Sequence, residues 1–418
     1  MRIIFILIFL FIFSINAAAE EELTWEDCLK EARRNHPDLI SAREQLNQAV
    51  ADKVIAKSDA LPQIDSALSG ATAKAASGAT TDTYAYSVSA EQLLFDGFKT
   101  SYDISSADED VKSARYNYEV TSSNVRLSLK EAFVELLKAQ ELLGITESTA
   151  QRRKQNLELV RLRYEAGREH RGSLLNAEAN LGQAEFEVIQ ARRNVDLAQR
   201  QLTNELGRSK LTPIKAKGDF KVEYPNRQRP DFDYLAQSNP FLLDLMSRKE
   251  SARFDLKSAE AEFLPEVYAN ASAGRSDSHW PPHNDVWSAG VSLSLPVFEG
   301  GNRIAQVSKA KAAFNQAQAD ERSGKDSVIF TMEDTWKGWQ DAIDKVKVEE
   351  KFLEAAEERA KIAQAQYAIG LISFDDWSII EDNLASAKKT LLDTKADTLV
   401  KEAEWVQAKG GTLDYVKK

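Results

Sequence analysis

One cysteine and four histidines in 418 residues leave no internal disulfide framework and little from which to build a metal site. Cations are outnumbered, 54 Lys+Arg against 65 Asp+Glu, and no long Lys/Arg run occurs. With a formal charge of −11, the chain lacks the clustered positive charge that counterion release from a nucleic acid requires. Long apolar runs are missing beyond the first residues, and a mean hydropathy of −0.42 excludes a multispan helical membrane protein. The 43% of hydrophobic residues still suffice for a core. No Walker loop, nucleophile elbow or H-E-x-x-H is present. Ser308-Lys309-Ala310-Lys311 fits S-x-x-K formally, but it has no companion K-T-G and falls in a predicted helix. Besides the initiator, only Met246 and Met332 occur, so a methionine-lined copper path has no basis. The chain is therefore not expected to be an enzyme or to hold a cofactor or metal.

Proline is absent from 63 to 212 and again after 296, although ten prolines punctuate the rest. An internal proline costs a helix about 3 kcal/mol, so these gaps permit very long helices. The apolar pattern fills them. Val125, Leu129, Ala132, Leu136, Ala139 and Leu143 alternate steps of four and three. Leu181, Ala184, Val188, Ala191, Val195, Ala198 and Leu202 continue the spacing, and Leu353, Ala356, Ala360, Ala363 and Tyr367 repeat it near the end. This is heptad periodicity, with alanines that let helices approach closely. A helix from about 98 to 165 would be roughly 100 Å long.

Residues 1–19 supply an address. Arg2 precedes the apolar run Ile3 to Phe13, and Ala17-Ala18-Ala19 closes it with small residues. These are the parts of a cleaved secretory signal, and the run is shorter than the about 20 residues of a permanent membrane helix. Acidic Glu26-Asp27 before Cys28 does not suit a lipoprotein cleavage site. The mature chain is expected to begin near Glu20, outside the cytoplasm.

Elsewhere the period shortens to two. Trp287, Ala289, Val291, Leu293, Leu295 and Val297 alternate with small or polar residues, as do Tyr84, Tyr86, Val88 and Ala90. Weaker strand candidates, 64–74 and 267–275, each follow a proline, so the pattern predicts two hairpins within 61–95 and 264–298. A strand of about 11 residues covers roughly 36 Å and, tilted, crosses the ~25 Å apolar band of an outer-membrane barrel. His279 and His283, flanking Trp280-Pro281-Pro282, read as part of a solvated outer loop.

The two halves are one unit written twice, 203 residues apart. Pro37 matches Pro240, Leu61-Pro62 matches Leu264-Pro265, and Phe95-Asp96-Gly97 matches Phe298-Glu299-Gly300. Tyr164-x-x-Gly167 matches Tyr367-x-x-Gly370, and Gly207 matches Gly410. The expected organisation is a first repeat at 20–207 with a long helical hairpin at 98–207, then a joint at 208–230. A second repeat at 231–410 has its helical hairpin at 302–410, and a tail covers 411–418. Four strands cannot close a barrel, and an open edge in lipid costs several kcal/mol per unpaired backbone group. Several copies must then share one barrel.

In the order of these elements, the duplication, the Leu-Pro and Phe-Asp/Glu-Gly landmarks and Tyr-x-x-Gly at each helical turn, residues 23–410 resemble the TolC-type outer-membrane factors, the outer membrane efflux proteins. The resemblance implies a mainly α fold with a small β part: long antiparallel coiled-coil hairpins plus four transmembrane strands per chain. It further implies a homotrimer with a 12-stranded β-barrel in the lipid of the cell outer membrane, on an α-helical barrel reaching into the periplasm. Such proteins are passive exit ducts of tripartite efflux pumps and type I secretion systems. Their partners are a periplasmic adaptor (membrane fusion protein) and an inner-membrane transporter, with no nucleic acid.

The resemblance also assigns the periplasmic gate to the hairpin turns. Asp376 matches an aspartate whose carboxylates ring the entrance, Asp375 stands beside it, and Tyr367 matches a tyrosine of the closing network. Ile372 and Ile379 replace an arginine and a second ring aspartate found in some members, and Ser173 replaces the acid of the first hairpin. Independently of the family, Gly167 and Gly370 suit the positive-φ ends of helices. Ser173 and Asp376 (or Asp375) suit capping of the helices that follow. Adaptor docking is expected on the tips, at Tyr164, Gly167, Arg168, Arg171, Ser173, Gly370 and Trp377; the large aromatic Trp377 suits either an interface anchor or packing between the two helices of its own hairpin. The alternative is a soluble periplasmic coiled-coil adaptor or scaffold, which would share the signal and the heptads but would not need four strands of membrane-crossing length.

Overall fold

The computed structural model describes residues 21–222 and 228–415. The expected leader, 1–19, lies outside the described residues, as do the last three residues of the tail. In chain order the elements are β1 (Glu21–Leu23), α1 (Trp25–Asn35), α2 (Pro37–Ser58), β2 (Gln63–Lys74), β3 (Thr80–Phe95), α3 (Lys99–Glu165) and α4 (Arg171–Glu205). There follow β4 (Ile214–Ala216), α5 (Phe232–Ala236), α6 (Pro240–Ala261), β5 (Glu266–Asp277), β6 (Asn284–Ser294), α7 (Asn302–Ile369) and α8 (Phe374–Ala408). The long helices α3 and α7 have 67 and 68 residues and occupy the two proline-free gaps. Pro37 and Pro240 open α2 and α6, where a missing N–H is no loss.

Two compact units are distinguishable, and each draws on both halves of the sequence. The first gathers the described parts of Met1–His36, Val125–Arg227 and Lys337–Glu404. Here the heptad residues are the core: Leu129, Ala132 and Leu136 on α3, Ala360 and Ala363 on α7, and Leu392, Ala396 and Leu399 on α8 are all buried. On α4 the buried stripe is Ala177, Ala184, Ala191 and Ala198, one alanine per heptad, so its neighbours pack against backbone as much as against side chain. Inside the segment read as a joint, β4 pairs in parallel with β1, Glu21 opposite Ile214 and Leu23 opposite Ala216. Arg208 fastens this ladder to α1 through Glu21, 2.7 Å away, and Glu31, 2.5 Å away. The sequence gives no sign of these strands, because three residues are too few to display a period.

The second unit gathers Pro37–Asn124, Gln228–Trp336 and the described part of Trp405–Lys418. It holds one antiparallel sheet in the order β2-β3-β5-β6. The register puts Ser66, Val88, Ala273 and Trp287 in one row and Ile64, Ala90, Ala271 and Ala289 in another. Between them lie rows of the opposite face: Asp65, Ser89, Ser272 and Ser288, and Gln63, Glu91, Asn270 and Gly290. One face is thus apolar and the other small and polar, with Ser272 and Ser288 sharing a hydrogen bond across the strands at 2.9 Å. The apolar face is bare: Trp287 is 80% exposed, Leu68 71% and Val291 70%. Beside the sheet, α3 and α6 meet along a polar seam, where Ser113 donates to the buried Asp244 at 2.5 Å and Ser251 to Asp110 at 2.7 Å.

The repeat is visible in how helices stop. α3 ends with Gly167 N–H donating to Tyr164 C=O and Arg168 N–H to Arg163 C=O; α7 ends with the same two bonds from Gly370 and Leu371. α4 and α8 end likewise at Gly207 and Gly410. All four glycines have φ between 68° and 82°, which closes the Schellman motif. At Gly207 a Cβ would also lie 2.3 Å from the Asn35 carbonyl oxygen, whereas around Gly167 there is open space. Gly207→Ala is therefore expected to destabilise the purified protein by about 2–4 kcal/mol, against about 1–2 kcal/mol for Gly167→Ala, where only backbone strain acts. Denaturant titration of both variants checks this, and equal shifts would contradict the close approach.

Candidate functional site

The tips of the helical hairpins lie in the first unit, around a cluster formed by Leu157, Val160, Ala177, Ala363, Tyr367, Phe374 and Trp377. Tyr367 is its centre. Its ring stacks on Trp377, with centroids 4.4 Å apart and planes 17° from parallel, and meets Phe374 edge-on at 6.3 Å. On α3, the Arg163 guanidinium lies 4.8 Å from the Tyr367 ring centroid and donates to the Tyr367 carbonyl at 2.8 Å and the Ala368 carbonyl at 3.2 Å. A cation placed on the last carbonyls of α7 also meets the negative end of the helix dipole. The Tyr367 hydroxyl donates to Glu169 Oε2 at 2.9 Å. The second hairpin is thereby tied to the turn of the first by a cation–π contact, two bonds to backbone and one to a carboxylate. Two buried donors at this centre, Arg163 Nε and Trp377 Nε1, have no partner.

Below the tips further polar ties join the hairpins. Arg152 holds the buried Glu381 through Nη2 and Oε1 at 2.7 Å, Arg153 pairs with Asp382, and Lys389 pairs with Glu187 at 2.7 Å. Each carboxylate in a buried tie is met by a hydrogen-bonding cation, the condition under which such a pair is tolerable.

The caps differ from expectation. Ser173 does not cap α4: His170 does, its Nδ1 accepting from the Ser173 N–H at 3.2 Å. In the second repeat Ser373 takes the same place. Its hydroxyl accepts from the Asp376 N–H at 3.1 Å and donates to the Asp376 carboxylate at 2.7 Å. His170 and Ser373 are 203 apart, as are Ser173 and Asp376. Both expected cappers sit one turn inside the helix because the preceding residue with a free acceptor reaches the N–H first.

Trp377 is no surface anchor in the protomer. At 1% exposure its side chain is filled in by Tyr367 and Phe374, and it supports the tip from beneath. Its counterpart in the first repeat is Leu174, and that of Phe374 is Arg171. Lacking that aromatic bed, Tyr164 stays 38% exposed where Tyr367 is enclosed. Gly167, Arg168, Arg171, Gly370, Asp375 and Asp376 are all exposed, while Ser173 is buried. Asp376 borders an open groove with Ile362, Ile372 and Ile379.

The profile of the family described as "Outer membrane efflux protein" matches residues 28–208 and 233–411, which is most of the chain. The chain belongs to the outer membrane efflux protein family. The outer membrane efflux protein BepC of Brucella suis is 24% identical over 94% of this chain and 83% of its own length. The outer membrane protein TolC of Escherichia coli is 22% identical over 92% of this chain and 80% of its own. The alkaline protease secretion protein AprF of Pseudomonas aeruginosa is 23% identical over 80% and 70%. Among solved structures, the transmembrane channel CusC superposes with a TM-score of 0.84 at 18% identity, covering 93% of this chain and 92% of that one. The open state of the Neisseria gonorrhoeae MtrE outer membrane channel gives 0.83 at 17% identity, covering 93% and 89%. The fold is that of these channels, and a member of this family is not an enzyme.

Arg163, which lies against Tyr367, was not among the residues singled out in the sequence. Glu169 and His170 also went unread in the sequence. The available signal was their position in the turn after Gly167, matching Ile372 and Ser373 of the second repeat. Burial raises the energy of the Glu169 carboxylate, but hydrogen bonds from Ser173 and Tyr367 outweigh it and hold the group below the ordinary value of 4.5. Burial first, and then Glu169 itself, push the Tyr367 phenol well above its ordinary range, so it remains a neutral donor. A carboxylate depressed on folding contributes stability above its unfolded pKa and loses it as pH falls through the folded value. The tips should therefore loosen on acidification below about pH 4.5. Hydrogen exchange at 163–174 and 367–377 should show this for the native chain and a flatter pH response for Glu169→Gln. An identical response in both would remove Glu169 from the tie.

Proposed function

We propose that this chain is one stave of a passive exit duct: a homotrimer whose sheets close a 12-stranded barrel in the outer membrane, continuous with a barrel of its long helices in the periplasm. The observation that carries the reading is the sheet, with a bare apolar face, a small polar face and two unpaired edges. Lipid takes the first, an aqueous lumen the second, and neighbouring protomers the third. In this reading 20–207 and 231–410 are the two repeats, 208–230 is the joint between them, and 1–19 is the leader that exports the chain. A soluble periplasmic adaptor accounts for the heptads but leaves the apolar face without an occupant.

Cargo enters from an inner-membrane transporter through a periplasmic adaptor docked on the tips, where the exposed Arg168 and Arg171 of the first hairpin and Tyr164 offer contact. The tie of Tyr367 to Arg163 and Glu169 keeps the entrance closed, and Asp376, with Asp375 beside it, provides a ring of carboxylates once three copies converge. Like charges in a narrow opening attract cations and repel anions. Asp376→Ala should then raise anion conductance in planar bilayers several-fold, and an unchanged cation preference would sink the ring. Reversing charge at Arg168 and Arg171 together should abolish export while trimerisation persists; normal export in that variant would place docking elsewhere.

A further inference from the structure

Away from the tips, the first unit contains a cavity of about 1040 Å³ between β4 with the residues after it and helices α3 and α8. Its floor is apolar, built from Leu137, Phe220, Leu353 and Leu392. Its rim is cationic: five lysines, at 215, 217, 221, 388 and 395, face three acids, Glu22, Glu141 and Asp219. In a chain of net charge −11 this is a local inversion of sign. The acids do not cancel it. Glu22 alone serves both Lys215, at 3.5 Å, and Lys217, at 3.4 Å. Lys395 reaches Glu350 at 3.3 Å, while Lys388 and Lys221 make no ion pair among the described residues.

The wall is fixed before any ligand arrives. Gln140 of α3 donates to the Ala216 carbonyl at 3.1 Å and accepts from the Ala216 N–H at 2.9 Å, and Lys217 N–H donates to the Leu23 carbonyl at 2.8 Å. A side-chain amide engaged on both its groups holds β4 against α3 at a set distance, so the cavity is pre-formed and binding costs little reorganisation. A neutral apolar guest would leave Lys388 and Lys221, which no described carboxylate pairs, unanswered, and a small inorganic anion would leave the leucine floor bare.

We propose that this cavity binds an amphipathic organic anion, a carboxylate or sulfonate carried on an apolar body of small-molecule size, with the charge at Lys388 and Lys221 and the body on Leu137, Phe220 and Leu392. The site is independent of the duct reading, since it lies within one protomer and uses no tip residue.

The test uses the full chain in amphipol, titrated with anilinonaphthalene sulfonate and followed by fluorescence. The expected result is a saturable component displaced by deoxycholate and not by a neutral alkyl glucoside. Lys221→Met with Lys388→Met should weaken it about tenfold, the sum of two partly screened charge contacts. Gly218 lines the same cavity, and a Cβ there would sit in ordinary contact, 3.4 Å from Leu137 Cδ1. Gly218→Phe should therefore set a ring against Leu137, occupy part of the apolar floor and weaken the component at least about tenfold. If that variant fails to fold, the lysine pair, which touches only the rim, decides. Unchanged affinity in the lysine variant, equal displacement by the neutral glucoside, or no saturable component in the native chain would each overturn the proposal.

Discussion

Two rows of backbone N–H and C=O groups, along β2 and β6, have no strand beside them in a single protomer. In water such edges invite aggregation; in lipid each unpaired group costs several kcal/mol. With an apolar face carrying Trp287, Leu68 and Val291, the sheet belongs in hydrocarbon, and in hydrocarbon it is unfinished. Nothing among the described residues completes it, because the described strands outside this sheet are three residues long and occupied with each other. The proposed duct follows from this shortage: identical neighbours are the only source of matching edges, and closing a ring removes them all.

The duplication explains how a chain of this size supplies two hairpins of each kind. The backbone has kept the repeat more faithfully than the side chains have. Even Phe98, with φ 71°, takes the left-handed conformation that its counterpart Gly301 takes at 87°. The same Schellman closures end α3 and α7, and the same capping register opens α4 and α8. Against this constant frame the tips have diverged. Phe374 and Trp377 make an aromatic bed on one side, where on the other Arg171 is exposed and Leu174 packs, half-buried, against the same cluster. A duplicated scaffold thus yields two chemically different ends, one built around an enclosed aromatic stack and one with an exposed cation.

Much of this was legible in the sequence because it rests on periodicity and on rare residues. The heptads of α3, α4 and α7 became the buried stripes, and the alternation around Trp287 became a strand with one apolar face. Prolines at 37, 62, 240 and 265 marked the element starts. Less was legible where the contact is between residues remote in sequence. Arg163 reaches Tyr367 across 204 positions, and no pattern within either helix announces it. Ser173 and Asp376 look like caps by residue type, but a cap is decided by which acceptor reaches the free N–H first, and His170 and Ser373 stand one turn earlier. For Trp377 the sequence leaves open an interface anchor or packing within its hairpin, and only its enclosure by Tyr367 and Phe374 decides for packing. The lysine-rimmed cavity is not announced by any one segment, since the run 215–221 meets residues of α3, α7 and α8 and Glu22 of β1 only in space.

The central claim is that the protomer is incomplete alone. Native mass spectrometry of the purified chain released from a mild detergent measures this most directly. The account predicts a single species of three copies, with dissociation accompanied by loss of β structure. A stable, folded monomer that keeps its sheet would contradict it.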